Sequence, residues 1–227
     1  FCLVKDIQAL TIPSSIQDMI MARVDALPES AKELLQAGSV IEREFTFRLI
    51  NGVMNFPESE LLSCLAILKD AELLYERGIY PDSVFIFKHA LTREVVYDSI
   101  LINRRNKLHQ LVGNAIETLY QHKINEHYEA LAEHFIKGES YIKGAEYSYL
   151  ASSKALQSNQ SMAAIKHAEN RVHCTENMKE IEGYDTRIVE ARTAWAGACM
   201  SISHHIEAKQ AVDPIVDLAV EKNHQSC

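Results

Sequence analysis

Apolar residues in the first third of the chain recur at helical spacing. Pro28 and Pro57 each precede such a pattern, because proline is tolerated in the first turn of a helix. The patterns predict a helix before Pro28, one directly after it, a short helix in EFTFRLIN that closes at Asn51-Gly52, and one from Pro57 to Leu74. The apolar positions of the first helix are Ile16, Met19, Ile20, Val24 and Leu27.

The spacing changes after this last helix. Two short runs of strand-forming residues, Leu73 to Tyr75 and Val84 to Phe87, flank a segment that contains Gly78 and Pro81-Asp82. Glycine and proline between two such runs predict a β-hairpin. Three helices followed by a hairpin is the order of a winged helix, so we predict a winged-helix domain over residues 28–90.

From Thr92 onward the apolar pattern is helical throughout. Consecutive amphipathic helices with short linkers pack as antiparallel pairs, and we predict linker helices over residues 91–126 and tetratricopeptide-like (α-solenoid) repeats over residues 127–227. The clearest repeat match places Ala196, Cys199 and Ala208 at the small-aromatic-small spacing, although the period of the repeats is irregular. We expect helices to approach closely at six small residues: Ala132, Gly144, Ala151, Ala164, Ala196 and Ala208.

Composition supports a mainly α fold with a packed core. Hydrophobic residues make up 47% of the chain, whereas only 8 glycines and 5 prolines are present, which disfavours a protein built from many tight turns. The net charge of −8 argues against a general nucleic-acid binder. No apolar run approaches the roughly 18 residues of a membrane span.

The five cysteines form no CxxC pair, which favours reduced thiols in the cytoplasm over zinc or disulfides. The chain contains no GxxxxGK[ST] phosphate-binding loop and no recognisable Ser, Cys or paired-carboxylate catalytic setting. Among its histidines, His122, His127, His134 and the His204-His205 pair form no HExxH motif. We therefore predict a non-enzymatic chain that holds no metal or cofactor of its own. Because the sequence starts at Phe1, we interpret it as a piece of a longer polypeptide.

Several segments in fixed order resemble a known family. IPSSIQDMIMARVDALPESAKELLQAGSVIEREF is followed by LLYERG, FKHALTREVVYDSIL, RRNKLHQLVGNAIE and HYEALAEHF. Together they resemble a stretch of large bacterial signalling proteins, class III adenylate/guanylate cyclases fused to an AAA-like NTPase of the signal-transduction (STAND) type and ending in tetratricopeptide repeats. The resemblance covers roughly residues 10–170.

This resemblance implies how the chain is organised and with what it interacts. Residues 1–27 would be the tail of the NTPase module, and the NTPase and cyclase domains would lie upstream in the same polypeptide. ATP or ADP with Mg would bind those upstream domains, and an unidentified protein or peptide would bind the helical repeats. DNA and membranes are not expected partners.

The resemblance also singles out His89. In STAND NTPases a histidine just after the last strand of the winged helix contacts the nucleotide phosphates in the closed state, and FKHAL matches that setting through His89 and Leu91. An imidazole can donate a hydrogen bond to a phosphate oxygen. The alternative interpretation is that His89 caps a helix or belongs to the core.

Two further groups of residues have open interpretations. Arg93, Arg104, Arg105 and Lys107 could form a basic surface, or they could lie on a solvated helix face with Glu94 and Asp98 nearby for pairing.

A winged helix that reads DNA uses its third helix, but here that helix carries four acids against one base, which would repel phosphates. The aromatic set Tyr128, Phe135, Tyr141, Tyr147 and Tyr149 could be inter-helix core or could line a peptide-binding surface.

The sequence thus favours a non-catalytic regulatory and interaction region of a cyclase-NTPase signalling protein, coupling partner binding to nucleotide state and to cyclic-nucleotide synthesis. Two alternatives remain open at this point. One is the regulatory region of a STAND-type transcription activator, and the other is a protein-interaction scaffold without a nucleotide link.

Overall fold

The computed structural model describes residues 14–225 and is mainly helical. The chain divides into two compact units, Phe1–Arg105 and Asn106–Cys227, here called unit 1 and unit 2. No helix of the described residues is both long enough and apolar enough to cross a membrane. The predicted domain boundaries at residues 28, 91 and 127 stay predictions, because the division at residue 105 does not test them.

Unit 1 combines helices with a small antiparallel sheet. Its helices are α1 (Ser14–Asp25), α2 (Glu29–Ile41), α3 (Phe47–Met54), α4 (Glu58–Asp70) and α5 (Ala90–Ser99), and its strands are β1 (Glu44–Thr46), β2 (Leu74–Arg77) and β3 (Val84–Phe87). The strand order is β1-β3-β2, with Phe45 opposite Phe85 and Tyr75 opposite Ile86. The end of the central strand β3 therefore leads directly toward α5.

The predicted hairpin is present, but the interpretation of EFTFRLIN as a helix is wrong at both ends. Glu44–Thr46 form β1, a third strand that was not predicted, and the helix begins at Phe47. Thr46 caps α3 by accepting a hydrogen bond from the Leu49 amide at 3.2 Å. The helix runs past Asn51-Gly52 to Met54, and Asn55 ends it in the left-handed conformation.

Large side chains fill the core of unit 1. Leu34, Leu65 and Phe87 are almost completely buried. Phe45 on β1 stacks on Phe85 of β3, with ring centroids 6.0 Å apart. Burial of this many large apolar groups gives β3 a fixed position, so a residue that follows β3 is held by a well-packed strand.

The apolar face predicted for the first helix is only partly buried. Val24 is buried, whereas Ile16 and Met19 are 39% and 64% exposed. Residues 1–13 of the predicted NTPase tail lie outside the described residues. The part of the chain that the structure describes therefore leaves an apolar face of α1 without a cover.

Unit 2 is helical. Most of α6 (Ile102–Leu119) belongs to it, and the boundary between the units falls inside this helix. The later elements are a 3₁₀ segment (Gln121–Glu126), α7 (Tyr128–Lys137), α8 (Tyr141–Gln157), α9 (Ser161–Glu176), α10 (Tyr184–Met200), α11 (His205–Val212), a second 3₁₀ segment (Asp213–Ile215) and α12 (Val216–Gln225). Pro214 lies in the second 3₁₀ segment, where it separates α11 from α12.

Small residues let the helices of unit 2 approach closely. Gly144 at the start of α8 faces Cys174 near the end of α9, and a Cβ atom at Gly144 would lie 3.0 Å from the Cys174 Sγ. Ser152 in the middle of α8 donates to the Ala164 carbonyl near the start of α9, so these two helices run antiparallel. Of the six small residues singled out above, all but Ala196 are buried.

Candidate functional site

The corner of unit 1 at the end of β3 carries the candidate residue His89. Phe87 is buried, its amide donates to the Arg43 carbonyl, and the Lys88 amide donates to the Leu73 carbonyl at 3.0 Å. His89 then continues in an extended conformation and becomes the residue before α5. The packed strand therefore fixes the backbone on which His89 stands.

The side chain of His89 is exposed. It makes no capping hydrogen bond to α5, although its backbone carbonyl accepts from the Thr92 and Arg93 amides. His89 therefore lies outside the core and at the N-cap position of α5, which its backbone carbonyl but not its side chain caps. An exposed imidazole on a rigid backbone is available to a partner molecule.

Two further cationic side chains lie at the same corner. Lys88 Nζ lies 3.1 Å from the Glu72 carboxylate, and the Arg23 guanidinium donates to the Ala71 carbonyl at 2.7 Å. The hydrogen bond from Lys88 holds the pKa of Glu72 below its usual value, and the charges of Lys88, Arg23 and His89 act in the same direction. We call Arg23, Glu72, Lys88 and His89 the His89 corner.

The His89 corner has the chemistry of an anion site. It offers an ammonium, a guanidinium and an imidazole, all of which can donate hydrogen bonds to phosphate oxygens. One carboxylate of the corner, that of Glu72, already pairs with the Lys88 ammonium. Sequence reasoning found His89 through a family resemblance but missed Arg23 and Glu72, because their proximity to it depends on how α1 and the turn before β2 fold.

The basic residues after His89 make intramolecular contacts. The Arg93 guanidinium donates to the Ser39 carbonyl at 2.8 Å, and Arg104 pairs with Glu33 at 2.8 Å. The guanidinium groups of Arg93 and Arg105 lie 5.2 and 4.8 Å from the centroid of the Tyr97 ring. These contacts favour a structural role for the three arginines. Lys107 is exposed in unit 2, and a basic binding surface stays a prediction.

Two buried histidines meet in unit 2. The Nδ1 atoms of His109 on α6 and His134 on α7 lie 2.9 Å apart, and both side chains are at least nine-tenths buried. At this distance one ring must donate the hydrogen and the other must accept it. Burial lowers the pKa of His134 to about 4, against the smaller opposing effect of the Glu133 charge. No sequence pattern indicates this pair, since 25 residues separate its members.

A third histidine of unit 2, His167 on α9, is also buried. Its Nε2 lies 3.8 Å from the Glu129 carboxylate, and its Nδ1 has no hydrogen-bond partner among the described residues. Burial lowers the pKa of His167, although the Glu129 charge opposes the shift. Within the described residues, no three side chains of the types that ligate metals cluster together.

The aromatic set contributes mainly to contacts between helices. Phe135 is buried and stacks on Tyr147 with centroids 5.7 Å apart, and the Tyr147 hydroxyl donates to Glu117 at 2.7 Å. Tyr149 differs, since it is 48% exposed and Arg171 lies 4.8 Å from its ring centroid. The core interpretation is therefore correct for Phe135 and does not apply to Tyr149.

An open cleft of about 910 Å³ lies between the start of α8 and the end of α9 in unit 2. Tyr141, Ile142 and Met178 contribute apolar surface to it. Two of its charged side chains are paired inside the unit, Lys143 with Glu117 at 2.6 Å and Glu176 with Arg192. Burial raises the pKa of the nearby Cys174 thiol to about 12, so this thiol is protonated and a poor nucleophile at neutral pH.

Comparison of the chain with family models, curated proteins and solved structures finds no match.

Proposed function

We propose that the chain is a non-catalytic regulatory region in which unit 1 responds to a nucleotide and unit 2 binds a partner. Unit 1 would be a winged helix that closes over a nucleotide held by an upstream NTPase of the same cytoplasmic polypeptide. Unit 2 would be a tetratricopeptide-like array that biases this closure when a protein or peptide binds. Through the NTPase, partner binding would control cyclic-nucleotide synthesis in a fused cyclase.

The exposed side chain of His89 carries this proposal. It stands at the end of the central strand, on a backbone fixed by buried neighbours, and it neither caps α5 nor packs into the core. Lys88 and Arg23 add positive charge at the same corner. Such an arrangement suits a phosphate group presented by another domain, since charged hydrogen bonds to phosphate need little rearrangement of a rigid donor.

The order of elements supports a winged helix. Helices α2, α3 and α4 precede the β2-β3 hairpin, and the additional strand β1 between α2 and α3 completes a small sheet. The exposed residues of α4 include Glu58, Glu60 and Asp70, which disfavours DNA as the ligand of this helix. Unit 1 would then be a packing and sensing domain rather than a DNA reader.

Features of unit 2 support an interaction role. Consecutive helices α7 to α11 pack on one another, and small residues bring α8 and α9 close together. The open cleft beside α8 leaves the side chain of Ile142 accessible to a partner.

The experiment that tests the proposal measures ADP retention in the longer polypeptide that includes the upstream region. We expect His89→Ala to release bound ADP faster than the wild type, because a phosphate contact is lost. His122→Ala is the matched control, since His122 is also exposed but lies in unit 2. Equal ADP retention in wild type and His89→Ala would contradict the proposal.

A further inference from the structure

The open cleft of unit 2 continues into a second cavity beside α8. This smaller cavity has a volume of about 270 Å³, and it shares Ile142 and Met178 with the cleft. The two cavities therefore form one surface, here called the α8 groove. The residues of the α8 groove that matter below are Ile142, Tyr149, Arg171, Met178 and Arg187.

Three helices bring one aromatic ring and two guanidinium groups to the smaller cavity of the α8 groove. Tyr149 comes from α8, Arg171 from α9 and Arg187 from α10. The Arg171 guanidinium lies 4.8 Å from the Tyr149 ring centroid, and the side chain of Arg171 is only 18% exposed. Because the ring packs against Arg171 and restricts its position, the groove presents an ordered cation.

Both arginines retain hydrogen-bond donors for a ligand. Arg171 lies 3.4 Å from the exposed carboxylate of Glu190, and Arg187 forms no ion pair among the residues that the structure describes. A guanidinium carries five N–H donors, so one such pair leaves most of them available. Glu146 also lines the cavity, which leaves two cations against one carboxylate. In a chain with a net charge of −8, this local excess of positive charge favours an anionic group as the ligand.

Apolar side chains border these cations along α8. Ile142 is 57% exposed, and Met178 lies beside it in both cavities. Ile142 and Tyr149 are seven positions apart, which corresponds to two helical turns or about 10 Å. An extended peptide covers that distance in about three residues. The groove therefore matches a peptide in which an apolar and an acidic side chain are about three residues apart.

We propose that the α8 groove binds an acidic linear peptide segment of a partner protein. A carboxylate of the peptide would pair with Arg171 and Arg187, and an apolar side chain about three residues away would pack on Ile142. This inference rests on the proposed function, in which unit 2 binds a protein or peptide. It adds the chemical class of that partner and the face of unit 2 that receives it.

The test follows the isoleucine methyl groups of the present chain by NMR during titration with synthetic peptides. The glutamate peptides carry leucine and glutamate at varied separations in a glycine-serine background, and the lysine peptides replace each glutamate with lysine. We expect the glutamate peptides to shift the Ile142 methyl signal and to leave that of Ile206 unchanged, since Ile206 is 73% exposed on α11 and is not part of the α8 groove. The lysine peptides should bind at least about fivefold more weakly.

Arg187→Ala should bind the glutamate peptides about five- to tenfold more weakly than the wild type, because a charged hydrogen-bond donor is lost from a partly solvated site. Lys209→Ala is the matched control, since it removes one positive charge from an exposed position on α11. Arg187→Glu should reverse the preference and bind the lysine peptides more tightly than the glutamate peptides. Arg187 is exposed, so these variants should fold, and the NMR spectra check this directly.

Three results would overturn the inference: an unchanged Ile142 signal with the glutamate peptides, equal affinity for the lysine peptides, or equal effects of Arg187→Ala and Lys209→Ala. Failure of the groove can be separated from failure of the proposed function. Faster ADP release in His89→Ala of the longer polypeptide, without peptide binding, would support the nucleotide contact and reject the groove. Peptide binding that depends on Arg187, with unchanged ADP release in His89→Ala, would support the groove and reject the nucleotide contact.

Discussion

Unit 1 and unit 2 place histidine in opposite environments. In unit 1 a sheet packed with large aromatic and aliphatic residues holds His89 at an exposed corner. In unit 2 closely packed helices bury His109, His134 and His167. The histidine side chain therefore has a different role in each unit. An exposed imidazole on a rigid strand can meet a ligand, whereas a buried neutral imidazole makes folding depend on pH.

The difference follows from how each unit fills its core. Phe85 and Phe87 on β3 fill the interior of unit 1, where the buried polar residues are the small side chains Ser39, Ser83 and Thr92. Unit 2 brings α6 and α7 together over a glycine, Gly113, against the Phe135 ring, and the neighbouring histidines pair in the same interface. Buried polar side chains need hydrogen-bond partners, which explains the short distance between the Nδ1 atoms of His109 and His134.

Acidification should give the largest effect on stability, and it should act on unit 2, which holds the buried histidines. The folded-state pKa of His134, about 4, lies below its unfolded value near 6.5, so below pH 6.5 the unfolded chain binds a proton that the folded chain does not. The contribution of neutral His134 to the free energy of unfolding is therefore fully present above pH 6.5, and it is lost as the pH falls toward 4. We expect His134 to account for a loss of roughly 2–3 kcal/mol between pH 7 and pH 4.5.

Urea denaturation at both pH values measures this loss. His134→Gln keeps a side chain that can hydrogen-bond to His109 and removes the titration, so its stability should change less with pH than that of the wild type. His122→Gln, at an exposed position, should show the wild-type pH dependence. The same pH dependence in all three proteins would contradict the role of the buried pair.

A pair of glycine substitutions in unit 2 should have effects of opposite sign. A Cβ atom at Gly113 would lie 2.8 Å from the Phe135 ring, which Tyr147 on one side and Lys143 nearby keep from moving. We expect Gly113→Ala to lower the free energy of unfolding by about 1–3 kcal/mol through overpacking. Nothing lies within 4 Å of the corresponding position at Gly197, so Gly197→Ala should raise it by about 0.4–1 kcal/mol.

Thermal denaturation of the two variants checks these signs. A stabilised Gly113→Ala protein would show that α6 and α7 are less closely packed than described. Destabilisation by Gly197→Ala would show that α10 meets a neighbour at this position.

Removal of helix-capping side chains should have the smallest effect on stability, and the effect should differ between the two units. Thr46 caps α3 in unit 1, so Thr46→Ala should cost about 1 kcal/mol. Ser140 occupies the equivalent position before α8 in unit 2 but makes no capping hydrogen bond. Ser140→Ala should therefore be close to neutral. Chemical denaturation of both variants is the measurement, and equal losses would contradict the distinction.

Much of the helical architecture could be predicted from the sequence, because apolar spacing and proline positions are local signals. The strand β1 was missed, since three residues are too few to show alternation and its partner β3 lies about 40 residues later. The overlap of Phe45 with Phe85, which stabilises this strand, is a property of the folded sheet. Non-local pairing of this kind leaves no pattern in a short segment.

The candidate site was predictable only in part. His89 could be singled out because it follows an apolar strand in a motif that resembles a known family. Arg23 and Glu72 could not, since α1 and the turn after α4 meet at that corner only in the folded unit. The pairing of His109 with His134 was equally hidden, because it depends on which faces of α6 and α7 meet.

The most direct test of the central claim is the rate of ADP release from the proposed longer polypeptide in three proteins. If the His89 corner contacts the phosphates, His89→Ala should release ADP faster than the wild type, and His122→Ala should release it at the wild-type rate. The same release rate in His89→Ala as in the wild type would contradict the account.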